Sequence, residues 1–343
     1  MEQYYSLHDI VTFKIVAGSL PRRLKLEYAN FESIRIENTD FTVYLGNFSP
    51  SKKDCQVLDN IYFVDRDYFY TEGSYKTGKW HLELTGFEQG NFNVRLSTNI
   101  VGSIFSDMFI CAYVIDPLIK YVLNRKGYCA VHASAVSRNG SAFLFPAQSG
   151  AGKTTTAAYF TREGFDFLGD DFVILHKGRI FSYLTPLNIF AYNLNQVIND
   201  NFNTMDRVVI KMKNALYKAT SGYIKIFSKL NPADVFRTTE SAELKVVYFL
   251  MPGESFKVSD MPRVEMLKRL AVNWDMELSL LNHYLLEYAY AFPSSNVADT
   301  WNTCNTILEE GIPKDIKCFR VEVPRKYTRE TFVEIKKLVT GVS

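Results

Sequence analysis

The chain has 343 residues, of which 47% are hydrophobic and 22% are charged, and its formal net charge is +2. This balance argues against global disorder, and the near-neutral charge argues against a dedicated nucleic-acid-binding domain. A chain of this length usually folds into about two domains, each with its own core.

The five cysteines are scattered, and their spacing matches neither a metal site nor a disulfide framework. They fit reduced, buried thiols in a cytosolic protein. The N-terminal sequence "MEQYYSLHDIVTFKIV" lacks the basic start, the apolar run and the cleavage site of a signal peptide. We therefore expect a cytoplasmic protein.

The most membrane-like segment is "SIFSDMFICAYVIDPLIKYVL", residues 103–123, but Asp107, Asp116 and Pro117 interrupt it. Apolar runs shorter than about 18 residues usually belong to buried helices. We predict a kinked or broken core helix at this position and no membrane partner.

Residues 1–100 read as short aromatic and β-branched runs separated by turn residues, which predicts an antiparallel, mainly β N-terminal module. Substrate recognition is a candidate role for it. The runs are "VTFKIVAG", "KLEYAN", "SIRIEN", "FTVYLGN", "IYFVDRDYFYTEG", "WHLELTG" and "FNVRLSTN".

Residues 101–343 have an α/β pattern and form the second predicted domain. "YCAVHASAV" predicts a buried strand, "SRNG" a hairpin turn, and "SAFLFPA" a strand that enters a glycine-rich stretch. "KTTTAAYFTREG" predicts a helix ended by Gly164, and the next strand leads into "FLGDDFVIL". A polar helical insertion is expected at about 192–240, a strand at "LKVVYFLMPG", and a final helix capped by Thr328.

The stretch "FPAQSGAGKTTTAAYF" is close to the phosphate-binding loop G-x-x-x-x-G-K-[ST], with Ala147 in place of the first glycine. If that position needs a positive φ, alanine costs about 1 kcal/mol. The predicted nucleotide-binding residues are Ser149, Gly150, Ala151, Gly152, Lys153, Thr154 and Thr155. A glycine-rich turn that opens a core helix and binds nothing is the alternative.

The chemistry expected of the loop depends on three polar residue types. Lys153 would neutralise the β and γ phosphates, and Thr154 would place its hydroxyl on Mg²⁺. Asp170 and Asp171 follow the next strand, where a carboxylate helps to hold the metal. Because neighbouring side chains of an extended chain point to opposite sides, one acid can reach the metal and the other the attacking hydroxyl. His132 alone, on an apolar strand, is more typical of a hydrogen-bonded core residue.

The segments "AVHASAV", "SGAGKTT" and "FLGDDFVIL", between His132 and Leu175, resemble the C-terminal catalytic domain of the HPr kinase/phosphorylase family. They are most similar to the divergent HPr-kinase-like proteins found beside bacterial peptide-modification and biosynthetic genes. The resemblance implies a P-loop fold shared with the ATP-dependent phosphoenolpyruvate carboxykinases, in which a mixed sheet carries the loop. It also implies phosphate transfer from a nucleotide to a serine hydroxyl.

Carried over by position, the resemblance makes His132 an active-site histidine alongside Lys153, and it makes Asp170 and Asp171 the acidic pair. We assign Asp170 as general base and Asp171, with Thr154, as metal support. The chain lacks the family's first loop glycine and its downstream signature, so HPr is a doubtful acceptor and the phosphorylase reaction is not predicted.

The resulting hypothesis is a Mg²⁺-dependent kinase that uses ATP or GTP and phosphorylates a serine of a peptide or protein. A small-metabolite kinase acting on a sugar or amino acid, and a non-catalytic nucleotide-binding regulator, are the alternatives; assembly into a homo-oligomer stays open. Further basic candidates for substrate or phosphate contacts are Arg207, Lys211, Lys213, Lys218, Lys225, Lys229, Arg263, Lys268 and Arg269.

Overall fold

A computed structural model of the protein describes residues 1–75, 78–86, 88–99, 109–148, 150–189, 204–219, 228–277, 279–324 and 327–341. The chain forms two compact units. The first contains Met1–Cys129 and Asp275–Ile307, and the second contains Ala130–Trp274 and Leu308–Ser343. The sequence pattern predicts a boundary near residue 100, whereas this division follows Cys129 and joins a later helical segment to the first unit.

Eight α-helices are described in these ranges: α1 (Arg22–Glu27), α2 (Asp116–Arg125), α3 (Lys153–Arg162), α4 (Thr204–Ala219), α5 (Arg263–Glu277), α6 (Ser279–Ala291), α7 (Thr300–Gly311) and α8 (Arg329–Thr340). The first unit contains strands β1 (Glu2–Leu7), β2 (Val11–Ala17), β3 (Glu32–Ser33), β4 (Phe41–Leu45), β5 (Gln56–Leu58), β6 (Tyr62–Asp65), β7 (Tyr68–Tyr75), β8 (Gly78–Thr85) and β9 (Phe92–Thr98).

The strands of the first unit form one sheet in the order β3-β1-β2-β4-β9-β8-β7-β6-β5. Strand β2 alternates buried and half-buried residues along its whole length, so one face of the sheet faces the core. The predicted β-rich N-terminal part is thus confirmed. Its expected antiparallel character is wrong in part, because β4 pairs parallel with both β2 and β9. A strand's period of two reports which face is buried and carries no information on the direction of its neighbour.

Two of the predicted N-terminal strands are also wrong. "KLEYAN" contributes to α1 and the turn after it, and "SIRIEN" contributes only Ser33 to β3. Leu24 and Glu27 are the buried residues of α1, and their spacing of three is that of one helix face. Tertiary burial therefore decided the conformation of this short segment.

The segment predicted as a broken core helix is partly described. A π-helical turn at Ile110–Ile115 runs directly into α2, where Pro117 lies in the first turn and needs no backbone donor. Residues 103–108 lie outside the described ranges. Within the described residues, no helix has both the length and the apolar character needed to cross a membrane.

Helix α6 packs on the sheet of the first unit, which explains why this late segment belongs there. The Tyr284 ring lies 5.3 Å from that of Phe69, and the Asp67 amide donates to the Tyr288 hydroxyl at 2.9 Å. These contacts join residues more than 200 positions apart, so no local pattern predicts them.

The second unit contains strands β10 (Cys129–Val131), β11 (Ala133–Arg138), β12 (Ser141–Pro146), β13 (Asp166–Gly169), β14 (Val173–His176), β15 (Arg179–Phe181), β16 (Leu187–Ile189), β17 (Ser228–Leu230), β18 (Ser241–Gly253), β19 (Lys257–Asp260) and β20 (Lys317–Pro324). Its main sheet has the order β10-β14-β15-β18-β12-β11-β13, with β20 beside β18 and β19 beside β20. Strands β16 and β17 form a separate pair. The large mixed sheet agrees with the α/β fold class predicted.

The strand directions in this sheet position the site. Strand β12 is antiparallel to β11 and parallel to β18, and β11 is antiparallel to β13. Strand β20 is parallel to β18. The carboxyl ends of β12, β13, β18 and β20 therefore meet at one edge, where ligands of open α/β sheets usually bind.

Helices α3 and α8 belong to the core that covers one face of this sheet. Phe145 of β12 stacks on Phe160 and on Tyr248, with ring centroids 5.7 and 5.6 Å apart. The predicted cap of α8 is confirmed, because the Thr328 hydroxyl accepts from the Thr331 amide in a capping box. This aromatic core fixes α3 against the sheet and so fixes the loop before it.

Candidate nucleotide-binding site

The glycine-rich stretch connects β12 to α3, as predicted. Gly150 and Gly152 have φ values of 85° and 91°, and Gly152 is the residue immediately before the helix. Glycine adopts this left-handed conformation without the penalty of a side chain. The first turn of α3 thus presents backbone N–H groups at the sheet edge, the arrangement that binds phosphate. Ser149 lies outside the described residues.

Ala147 stands at the position of the first loop glycine, and its backbone does not carry the cost that a positive φ would impose on alanine. It is not among the residues with positive φ, and its side chain is fully buried in the core. Its carbonyl accepts a hydrogen bond from Lys153 Nζ at 2.6 Å. An alanine at this position is therefore compatible with the observed loop.

Tyr327 contacts the glycine-rich loop, and the sequence pattern did not indicate this residue. A Cβ on Gly152 would overlap the Tyr327 ring, so the ring occupies the space that glycine leaves. The hydroxyl donates to the Ala151 carbonyl at 3.1 Å and accepts from Thr156 at 3.4 Å. Burial raises the pKa of Tyr327 to about 12, so the hydroxyl stays a donor at neutral pH.

Lys153 and His132, two of the predicted site residues, are in contact. Lys153 is buried, and its Nζ lies 2.8 Å from Nε2 of His132 at the break between β10 and β11. The backbone carbonyl of Lys153 accepts from Ser134 at 3.2 Å, which ties the start of α3 to β11. The His132 and Phe172 rings make a T-shaped contact, with their centroids 5.3 Å apart.

The acidic pair occupies the turn between β13 and β14. The Thr154 hydroxyl donates to Asp170 Oδ2 at 2.6 Å, so the loop and the acidic pair are in direct contact. Asp170 is 7% exposed, whereas Asp171 is exposed, which is the opposite orientation expected of neighbouring side chains. A Cβ on Gly169 would overlap the Phe172 carbonyl oxygen, so the turn requires glycine.

Asp170 is held in an environment that opposes its charge. Burial, and then the charge of Asp171, raise the pKa of Asp170 to about 7, against the opposing effects of the Thr154 hydrogen bond and the Lys153 charge. Its Oδ1 is buried and has no hydrogen-bond partner among the residues that the structure describes. A buried carboxylate oxygen without a donor is costly, and such groups concentrate at functional sites.

The remaining predicted residues lie in several different elements of the second unit. Thr155 is buried in the first turn of α3. Arg263 donates to the carbonyls of Glu309 and Ile312 at 2.5 and 2.8 Å, and thus holds the end of α7. The insertion contributes α4, with Arg207, Lys211, Lys213 and Lys218, and Lys229 lies in β17; Lys225 lies outside the described ranges. A role for these basic residues stays a prediction.

Thr154 and the acidic pair are the candidate ligands for a metal ion at this site. The described ranges contain no group of three or more His, Cys, Asp and Glu side chains able to hold a metal ion by themselves. Mg²⁺ is usually held by one or two carboxylates together with substrate phosphates. The Thr154 hydroxyl and the adjacent carboxylates are a donor set of that kind.

Comparison with known proteins adds no family assignment: none of the family models searched matches this chain, and no curated protein matches it.

Proposed function

We propose that this protein is a Mg²⁺-dependent kinase that transfers the γ phosphate of ATP to a hydroxyl group, with a serine of a peptide or protein as acceptor. The observation that carries the proposal is the contact between Thr154, at the start of the loop helix, and Asp170, whose second oxygen is buried without a donor among the described residues. The mixed sheet and the strand–loop–helix order support an HPr-kinase-like P-loop fold.

Phosphate binding is assigned to the loop and Lys153. Amides of the first turn of α3 face the sheet edge, and the helix dipole favours an anion there. Lys153 would exchange its bonds to His132 and the Ala147 carbonyl for phosphate oxygens. His132 then serves as the neighbour that holds the lysine in position before the nucleotide binds.

Proton transfer is assigned to Asp170. Its Oδ1 is the atom that would accept the proton of the acceptor hydroxyl, since a general base must lie within hydrogen-bond reach of that proton. The exposed Asp171 and the Thr154 hydroxyl would hold Mg²⁺, which supplies charge neutralisation to the β and γ phosphates. The serine acceptor is supported by the resemblance of the loop, histidine and acidic segments.

The proposal is tested by incubating the protein with γ-labelled ATP, Mg²⁺ and an arrayed library of serine-containing peptides. We expect label on a subset of peptides and none on copies with alanine in place of serine. Asp170→Asn should lower the rate at least about 100-fold, the contribution typical of general base catalysis. Asp315→Asn changes an exposed carboxylate in the same unit and should leave the rate unchanged.

Asp171→Asn separates metal support from proton transfer. This variant should need a higher Mg²⁺ concentration for half-maximal rate, whereas Asp170→Asn should bind Mg²⁺ and ATP normally. Equal labelling by Asp170→Asn and the wild type would remove Asp170 from the mechanism. Tight ATP binding without label on any peptide would contradict the peptide kinase.

A further inference from the structure

A cavity of about 700 Å³ lies in the second unit, beside the loop. One wall is the end of β18, from Phe249 to Pro252, and the other is one face of α5 together with Pro262. Gln148 of the glycine-rich stretch also lines the cavity. Small-molecule sites commonly have volumes of about 300–1,000 Å³ and largely apolar walls.

The strand order places this cavity and the acidic pair on opposite sides of the loop. Along the sheet edge the sequence of strands is β18, β12, β11 and β13. The cavity lies at the end of β18, the loop follows β12, and Asp170 follows β13. Neighbouring strands are about 4.8 Å apart, so a triphosphate on the loop has one flank toward the acids and the other toward the cavity.

Asn273 carries a second, independent indication of a ligand. This α5 residue lines the cavity and is 7% exposed. Its Nδ2 is buried and has no hydrogen-bond partner within the described part of the chain. A buried amide donor is normally paired, so an unpaired one on a residue that lines a mostly apolar cavity fits a ligand that supplies an acceptor atom.

The walls suit a flat ring with a polar edge. Met251 and Pro252 on one side, and Val264 and Val272 on the other, offer apolar surfaces. Arg269 of α5 lies over the Phe249 ring of β18 at 5.8 Å, which joins the α5 face to β18, and it also bonds Glu265 of its own helix at 2.9 Å. The exposed Lys268 adds positive charge to the same lining.

We infer that this cavity binds the purine nucleoside of the nucleotide, with Asn273 Nδ2 donating to a ring nitrogen or carbonyl of the base. The inference rests on the proposed function, because the γ phosphate must face Asp170 for transfer. The nucleoside, at the other end of the phosphate chain, then extends over β18. Asparagine amides pair well with purine edges.

The test compares ATP with inorganic tripolyphosphate, which has the same phosphates and no nucleoside. Binding of both to the full-length protein is measured by calorimetry. Asn273→Leu should weaken ATP roughly tenfold, the value of about one buried hydrogen bond, and leave tripolyphosphate unchanged. Val272→Trp should fill the cavity and have a larger effect of the same kind. Val333→Trp, on the exposed side of α8, is the matched control and should alter neither ligand.

The outcomes separate this inference from the proposed function. If neither ATP nor tripolyphosphate binds the wild type, the proposed function itself fails. If ATP binds and both cavity variants bind it normally, the nucleoside lies elsewhere and the inference is overturned. The inference is also overturned if the variants weaken both ligands equally, because the effect would then be on the loop. Unchanged ATP affinity with lost peptide labelling in Val272→Trp would assign the cavity to the acceptor.

Discussion

Two buried carboxylates, one in each unit, have opposite surroundings. Glu83 in the sheet of the first unit is 3% exposed and accepts from Arg95 at 3.2 Å, Tyr68 at 3.0 Å and the Ser51 amide at 3.3 Å. Asp170 in the second unit is similarly buried, accepts only from Thr154 among the described residues, and lies beside another acid.

The two carboxylates differ in how many donors they accept from, and this contrast supports the proposal that Asp170 serves a ligand. Removing a partner from a satisfied buried charge destabilises the fold, whereas removing an unsatisfied buried charge relieves it. Burial alone therefore does not identify a functional acid. The absence of a donor to Asp170 Oδ1 within the described residues is the observation on which we base its proposed role.

The largest expected stability change comes from Asp170→Asn in the absence of nucleotide and metal. The raised pKa means that the folded protein binds a proton more tightly than the unfolded chain between the ordinary aspartate pKa of 3.8 and about 7. The free energy of unfolding of the wild type should thus fall as the pH rises through this window. The Asp170→Asn variant should not show this fall, because asparagine does not titrate. We expect the variant to be more stable by up to about 4 kcal/mol at pH 8.

This gain should shrink toward zero below about pH 4, where the aspartate is protonated in both states. Urea unfolding in EDTA at the acidic and the basic end of this window measures it, with Asp315→Asn as control. A variant that is less stable than the wild type at the basic end would show that Asp170 is a structural carboxylate like Glu83.

Gly152→Ala tests whether the loop before α3 depends on glycine at this position. The new Cβ requires a left-handed alanine and displaces the Tyr327 ring. These effects should destabilise the protein by about 2–4 kcal/mol and abolish tripolyphosphate binding. Gly150→Ala is the matched control, because its φ is also positive but nothing lies within 4 Å of its Cβ position among the described residues. Equal losses in both variants would remove the Tyr327 contact from the explanation.

Glu83→Gln should have the opposite sign to Asp170→Asn. The amide keeps the shape but places an NH₂ group where Arg95 or Tyr68 now donates. We expect a loss of about 1–2 kcal/mol, moderated by the exposure of Arg95. Chemical denaturation at neutral pH measures it. If Glu83→Gln left the stability unchanged or raised it, the proposed difference between the two carboxylates would be wrong.

Tyr327→Phe should have the smallest effect. It removes the hydrogen bonds that the hydroxyl makes with the Ala151 carbonyl and with Thr156, and it keeps the ring against Gly152. A loss of about 1 kcal/mol is expected, with tripolyphosphate affinity lowered a few-fold. Thermal unfolding and calorimetry report the two quantities. Unchanged values for both would mean that the ring alone positions the loop.

Local sequence predicted those parts of the site that depend on short-range chemistry. The order of strand, glycine turn, helix and strand holds because the turn needs positive φ at Gly150 and Gly152, and the hydrophobic periods on each side set the elements. The meeting of Thr154 with the acidic pair, 16 positions away, was expected because a loop hydroxyl and a carboxylate after the next strand both serve Mg²⁺, whereas a place for His132 in the site, 21 positions from Lys153, was expected only through the resemblance.

Only the tertiary structure decided the rest. The parallel pairing of β4, the place of α6 in the first unit and the Tyr327 contact all depend on residues far apart in the chain. A sequence specifies which side chains seek burial and which backbone positions need glycine. Which distant surface supplies the burial, and which polar atoms it leaves without a donor, are settled when the sheets and helices pack.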